Sequence, residues 1–201
     1  MRTPYNEQAD LDLVAEHFMG KGLAAERFPS AEMQSGKTPD FRIRHNGLLV
    51  AYCEVKAPND PWLDDLLEDA PDLTLVGGLR NDPIPNRLAR LLTKADAQFA
   101  AVNVDRTALN ILAYVNHYEA SHYQDLVETV TGYFHADDGT KHATLLHIAE
   151  GRIGQAKRRI DAFLWFEAKT GHMAGAIVNQ DDRARMHRLC GLLGFDAEKI
   201  S

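Results

Sequence analysis

Asp40, Glu54 and Lys56 are the side chains of this sequence whose types and spacing suit phosphodiester chemistry. Two carboxylates brought together hold a hard cation such as Mg²⁺, which takes oxygen ligands and keeps several waters, so that one or two acids plus a substrate phosphate suffice. Such an ion polarises a phosphoryl oxygen and makes water a stronger nucleophile at neutral pH. A lysine two residues after one acid adds a cation that can orient or deprotonate the attacking water and offset the charge developing on phosphorus.

These residues act together only if the backbone delivers them to one place. The runs Asp40–Arg44 and Leu48–Lys56 are rich in Val, Ile, Leu, Phe and Tyr and read as strands, with Asn46-Gly47 as the turn between them. Alternate strand residues share a face, so Glu54 and Lys56 point the same way as Leu48, Val50 and Tyr52. A two-residue loop at Asn46-Gly47 pairs Asp40 with Cys53, on the wrong face. A three-residue loop, His45-Asn46-Gly47, pairs Asp40 with Tyr52 and sets it diagonal to Glu54 at roughly 7 Å between backbones. The metal-site reading therefore requires the three-residue loop. The Val55 carbonyl, directed sideways from the strand, is a further candidate ligand.

Two helices frame the hairpin. Asn6–Lys21 reads as a helix ended by Gly20 and Gly22, with Glu7, Leu11, Val14 and Phe18 on one stripe and Asp12 and Glu16 on the other side. Asn86–Ala101 reads as a second, its apolar side formed by Leu88, Leu91, Leu92, Ala95 and Phe99. Its polar stripe is Arg87, Arg90, Lys94 and Gln98.

Pro39-Asp40 followed across a hairpin by Glu54-Val55-Lys56, with a helix before and a helix and apolar strand after, resembles the PD-(D/E)XK nuclease superfamily. The resemblance covers roughly residues 5–118. It implies an α/β, restriction-endonuclease-like fold, three layers α/β/α around a central mixed sheet of about four or five strands. It also implies a Mg²⁺- or Mn²⁺-dependent hydrolysis of phosphodiesters, most readily in DNA, leaving 5′-phosphates. Asp40, Glu54 and the Val55 carbonyl would hold metal, Glu7 would be accessory, and Lys56 would serve the water. Arg87, Arg90, Lys94 and Gln98 would contact nucleic acid. The rival reading is a catalytically inactive descendant of the same fold that binds nucleic acid or assembles with partners.

At 201 residues and 45% hydrophobic, the chain suits a single domain over 1–201, with 119–201 adding helices and strands to the core. It has no apolar run long enough for a membrane, its first residues lack an apolar signal region, and Cys53 and Cys190 make no disulfide framework; a cytoplasmic protein is expected. Net charge is −7, yet Asp60, Asp64, Asp65, Glu68, Asp69 and Asp72 supply six acids in one stretch without Lys or Arg. Basic residues gather at Arg87–Lys94, at Arg152 with Lys157-Arg158-Arg159, and at Arg183, Arg185 and Arg188, leaving room for a local basic groove. The long acidic connection after Lys56 reads as a flap over the site, a dimer contact or a surface excursion, with a short helix at Trp62–Glu68. A two-fold dimer would suit double-strand cleavage.

Beyond the core, Leu109–His117 reads as a central strand whose end, Tyr114, Asn116 and His117, reaches solvent or lines the pocket. Helices are expected at Tyr123–Thr131, His142–Arg159 and Asp181–Gly191, and strands at Asp161–Ala168 and Met173–Val178. Glu167-Ala168-Lys169 repeats the acid-x-lysine pattern but has no upstream Asp at hairpin distance, so it reads as surface charge. His142 and His147 have no Cys partner at finger spacing, and no Walker loop or Gly-x-Ser-x-Gly is present.

Overall fold

Leu109–Asn116 is buried along its entire length, and a strand hidden on both faces needs a helical layer on each. The structure, a computed structural model, describes residues 6–35, 37–58, 71, 84–136, 138–143 and 150–199. In chain order the elements are α1 (Glu7–Met19), β1 (Ala24–Arg27), α2 (Ser30–Ser35), β2 (Phe41–His45), β3 (Leu48–Lys56) and α3 (Ile84–Val102). There follow β4 (Leu109–Asn116), α4 (Tyr123–Thr131), β5 (Tyr133–His135), β6 (Lys141–Ala143), α5 (Glu150–Arg159), β7 (Ala162–Glu167), β8 (His172–Val178) and α6 (Arg183–Leu193). The acidic connection, with its expected short helix and its flap or dimer role, lies almost wholly outside the described residues.

The sheet is mixed, in the order β1-β2-β3-β4-β7-β8, while β5 and β6 pair separately. β1, β2 and β3 are antiparallel, β3, β4 and β7 parallel, and β8 returns antiparallel. It thus has six strands instead of four or five. The extra edge strand, Ala-Ala-Glu-Arg, is too short and polar to carry an apolar alternation.

Alternation along the central strands divides the core in two. Ala51, Cys53, Ile111, Ala113, Leu164 and Phe166 face Leu11, Val14 and Phe18 of α1 and Met186, Leu189 and Leu193 of α6. Tyr52, Leu112, Tyr114, Phe163 and Trp165 face Leu88, Leu92 and Phe99 of α3, Leu126 of α4 and Ala156 of α5. The architecture is a three-layer α/β sandwich. Among the described residues no helix is long and apolar enough to cross a membrane.

Local chemistry sets the helix ends. Asn6 Oδ1 accepts from the Gln8 and Ala9 amides at the start of α1, and Asp182 Oδ1 from the Arg185 amide at the start of α6. Gly194 closes α6 in the left-handed region, at φ 71°. One expected helix does not begin at His142: Lys141–Ala143 is strand, which sets His142 on a hairpin, and among the described residues the helix spans Glu150–Arg159, while His147 lies outside them.

Two arginines of the sequence's third basic cluster, Arg185 half-buried and Arg188 exposed, bond to the protein's own backbone and acids. Arg185 forms a fork with Asp161, 2.7 Å from each carboxylate oxygen, and also donates to the carbonyls of Arg106 and Ala108. Arg188 donates to the carbonyls of Thr107 and Val50. Of the second cluster, Lys157 donates to the Val130 carbonyl, Arg159 pairs with Asp96 at 3.1 Å and Arg158 faces Asp181 at 4.0 Å. These residues brace the scaffold.

Gly175 in β8 offers a sharp packing test. A Cβ there would lie 2.6 Å from the ring of Tyr123, whose hydroxyl donates to the Ala176 carbonyl at 2.8 Å. Gly175→Ala should displace that ring and destabilise the fold by about 1–3 kcal/mol in urea unfolding, as overpacking does. Unchanged stability would show that the ring moves freely.

Candidate active site

The hairpin reaches the required geometry by a route the sequence reading did not foresee. Its loop is the two-residue Asn46-Gly47, with φ 50° and 79°, and it pairs His45 with Leu48 and Arg44 with Leu49. Positive φ at both positions is the hairpin turn that Asn-Gly favours. Continued unbroken, that register would set Asp40 against Cys53. Between Arg44↔Leu49 and Ile43↔Ala51, however, Val50 is an extra residue on β3, a β-bulge. Beyond it Phe41 pairs with Cys53, so the next residue, Asp40, lies across from Glu54. The expectation of a three-residue loop is wrong, and the shared face is regained by the bulge.

The carboxylates are thereby placed together. Asp40 Oδ2 accepts from the Val55 amide at 2.8 Å, closing the end of the ladder. Within a strand a residue's N–H and C=O point to the same side, so the Val55 carbonyl is directed toward Asp40's side of β3. Glu54 is 1% exposed; its Oε1 is taken by the Lys56 ammonium, and its buried Oε2 has no hydrogen-bond partner among the described residues. Burial, reinforced by the nearby Asp40 charge and opposed by Lys56, pushes the Glu54 carboxyl up to about 7. An orphaned acid oxygen beside a second acid and a carbonyl is a donor set that fits a hard divalent cation. Asp40, Glu54 and the Val55 carbonyl would hold it.

α3 supplies the roof, spanning Ile84–Val102 where Asn86–Ala101 is expected. Arg90 and Lys94 are exposed and Arg87 half-buried. Gln98, on the same stripe, turns inward: its Nε2 donates to the Thr38 carbonyl at 2.9 Å, and the amide lies near enough to Glu54 to favour the ionised carboxylate.

Glu7 does not join this group. It is exposed, and it lines an open cleft of about 470 Å³ with Asn6, Gln8, Leu11 and Arg27. Among the described residues no three His, Cys, Asp or Glu side chains gather as a metal-binding group. The buried stripe of α1 is Asp10, Leu11, Val14 and Phe18, where the sequence reading puts Glu7 in place of Asp10. Asp10, overlooked by that reading, is 3% exposed and meets His117 Nε2 at 2.8 Å. The step of four from Asp10 to Val14 to Phe18 was the available signal.

The remaining candidates are structural. Tyr114 is fully buried and donates to the Leu88 carbonyl, and Asn116, 3% exposed, donates to Tyr118, Ser121 and Glu167, so neither marks a strand end reaching solvent. Glu167 is held by Trp165 Nε1 at 2.7 Å and by Asn116, so it is more than surface charge; Lys169 pairs instead with Glu119.

No family model matches the chain, and neither does any curated protein or solved structure.

Two predictions follow from the geometry. Glu54 titrates near 7 when folded against an ordinary value of 4.5, so between these the folded chain keeps a proton that the unfolded chain has released. Metal-free stability attributable to Glu54 is therefore intact below 4.5 and falls as pH rises toward 7. Glu54→Gln should unfold at higher urea than the wild type at pH 8, by at most about 3 kcal/mol, with the gap closing at pH 4. Parallel pH profiles would refute the buried, elevated carboxyl. Deleting Val50 should leave a folded sheet by circular dichroism while abolishing Mn²⁺ binding by calorimetry, because Asp40 then faces away from Glu54; retained binding would show that the bulge does not set the site.

Proposed function

We propose that the chain is a metal-dependent nuclease that hydrolyses phosphodiesters, with DNA as its substrate, on a restriction-endonuclease-like fold. The observation that carries this reading is the convergence of Asp40 and the buried Glu54, whose Oε2 has no hydrogen-bond partner among the described residues, beside Lys56. The element order supports it: α1, the antiparallel β2-β3 hairpin, α3 and a β4 parallel to β3 follow in the helix, hairpin, helix and strand succession that the PD-(D/E)XK resemblance implies, with β1 and α2 set between α1 and the hairpin. Mg²⁺ or Mn²⁺ at the two acids supplies charge stabilisation at phosphorus and a more acidic water.

The chain's own groups divide the remaining work. Asp40, fixed through the Val55 amide, and Glu54, fixed by its rigid strand, set where the scissile phosphate lies. Lys56 sits on the same face as Glu54 and is 21% exposed, so its ammonium can both hold Glu54 and reach the attacking water or a non-bridging phosphate oxygen. Arg90 and Lys94 form an exposed cationic stripe on α3 that leads, at helical steps of four, to Gln98 beside Glu54. A phosphate backbone lying along α3 reaches the acids by that path.

Supercoiled plasmid and single-stranded DNA incubated with Mg²⁺ or Mn²⁺ test the reading. Wild type should cleave and EDTA should stop it, while Asp40→Ala, Glu54→Ala and Lys56→Ala should each lose at least about 100-fold in rate, the scale of one removed transition-state contact. Cleavage shared equally by all four proteins identifies a contaminant and ends the proposal.

A further inference from the structure

Gln98 departs from the stripe to which its spacing assigns it. Its neighbours one and two turns earlier, Lys94 and Arg90, are exposed, whereas Gln98 is half-buried and spends its amide on the protein. We infer that Gln98 is a positioning residue for the proposed site: from α3 it clamps the segment carrying Asp40 against the strand carrying Glu54. The inference rests on the nuclease reading for its purpose, and on side-chain geometry for its substance.

Asp40 lies just before β2 begins, so the ladder bonds of the hairpin do not by themselves fix it. Three restraints hold the segment. Pro39 is buried and has a locked φ. Asp40 Oδ2 takes the Val55 amide at 2.8 Å. Gln98 Nε2 reaches across sixty positions of sequence to the Thr38 carbonyl at 2.9 Å. Of the two hydrogen bonds, the one from Gln98 ties the segment to another layer. Because the same amide lies against Glu54, one side chain touches the surroundings of both acids. Removing it frees the Thr38 carbonyl and lets Asp40 drift from Glu54, and partners of metal ligands typically change affinity by about 10–100-fold when lost.

Gln98→Met keeps the length and loses the donor, Gln98→Ala guards against a steric effect of Met, and Lys94→Ala supplies the contrast on the same helix. Mn²⁺ affinity is read by calorimetry, DNA affinity by anisotropy in Ca²⁺, and cleavage by kcat and KM, with thermal unfolding confirming that each variant is folded. Both Gln98 variants should bind Mn²⁺ about 10-fold more weakly and lose kcat, with DNA affinity and KM near wild type. Lys94→Ala should weaken DNA binding and leave Mn²⁺ affinity alone. Gln98 variants that lose DNA affinity but bind Mn²⁺ normally make Gln98 a substrate contact and overturn the inference, as do variants unchanged in both. If the wild type binds Mn²⁺ but cleaves no DNA, the nuclease reading fails, and the Mn²⁺ titration of Gln98→Met still decides the clamp. A wild type that takes up no Mn²⁺ removes the site and the clamp with it.

Discussion

The extra residue at Val50 is the constraint on which the rest of the site depends. Strand side chains alternate with a period of two, so one inserted residue moves everything beyond it to the other face. The Asn46-Gly47 turn fixes one register and the bulge changes it, so Phe41 meets Cys53 and Asp40 comes opposite Glu54. The bulge is also braced from outside the hairpin, since Arg188 of α6 donates to the Val50 carbonyl at 2.9 Å. Bulges recur beside functional sites because they re-aim side chains in this way.

Glu54 explains why such a site is poised and not merely polar. A carboxylate that is 1% exposed beside a second acid is expensive to ionise; the Lys56 ammonium takes Oε1, and Oε2 has no hydrogen-bond partner among the described residues. Replacing buried charges with apolar groups commonly stabilises a fold, so a scaffold selected for stability alone has little use for this arrangement. A divalent cation between Asp40 and Glu54 would satisfy the orphan oxygen and reverse the repulsion together. Elevated carboxyls of this kind gather where chemistry is done. The opposite end of the sheet shows the contrast: Asp161 is also buried, but Arg185 donates to both of its carboxylate oxygens and the Asn110 amide to one of them.

Strong periodicity made much of the fold legible. β3, β4, α3 and α4 fall within a residue or two of expectation because each carries a long apolar stripe or run. β1 and the β5-β6 hairpin were not legible, being three or four residues long with exposed polar positions. At the site, Asp40, Glu54 and Lys56 were readable from type and spacing, but the device uniting them was not: Val50 looks like any other strand valine, and only its pairing partners reveal it as surplus. Glu7 and Asp10 differ by less than one helical turn, so a small error in the stripe exchanged an exposed acid for a buried one. The Gln98–Thr38 contact joins distant segments and leaves no local mark.

Diffraction from crystals soaked in Mn²⁺, recorded at the manganese absorption edge, tests the central claim most directly. The account predicts one anomalous peak in the hairpin, with an oxygen from Asp40 and another from Glu54 each about 2.1 Å from it. A hairpin without such a peak, or the two carboxylates on opposite faces of the sheet, would contradict it.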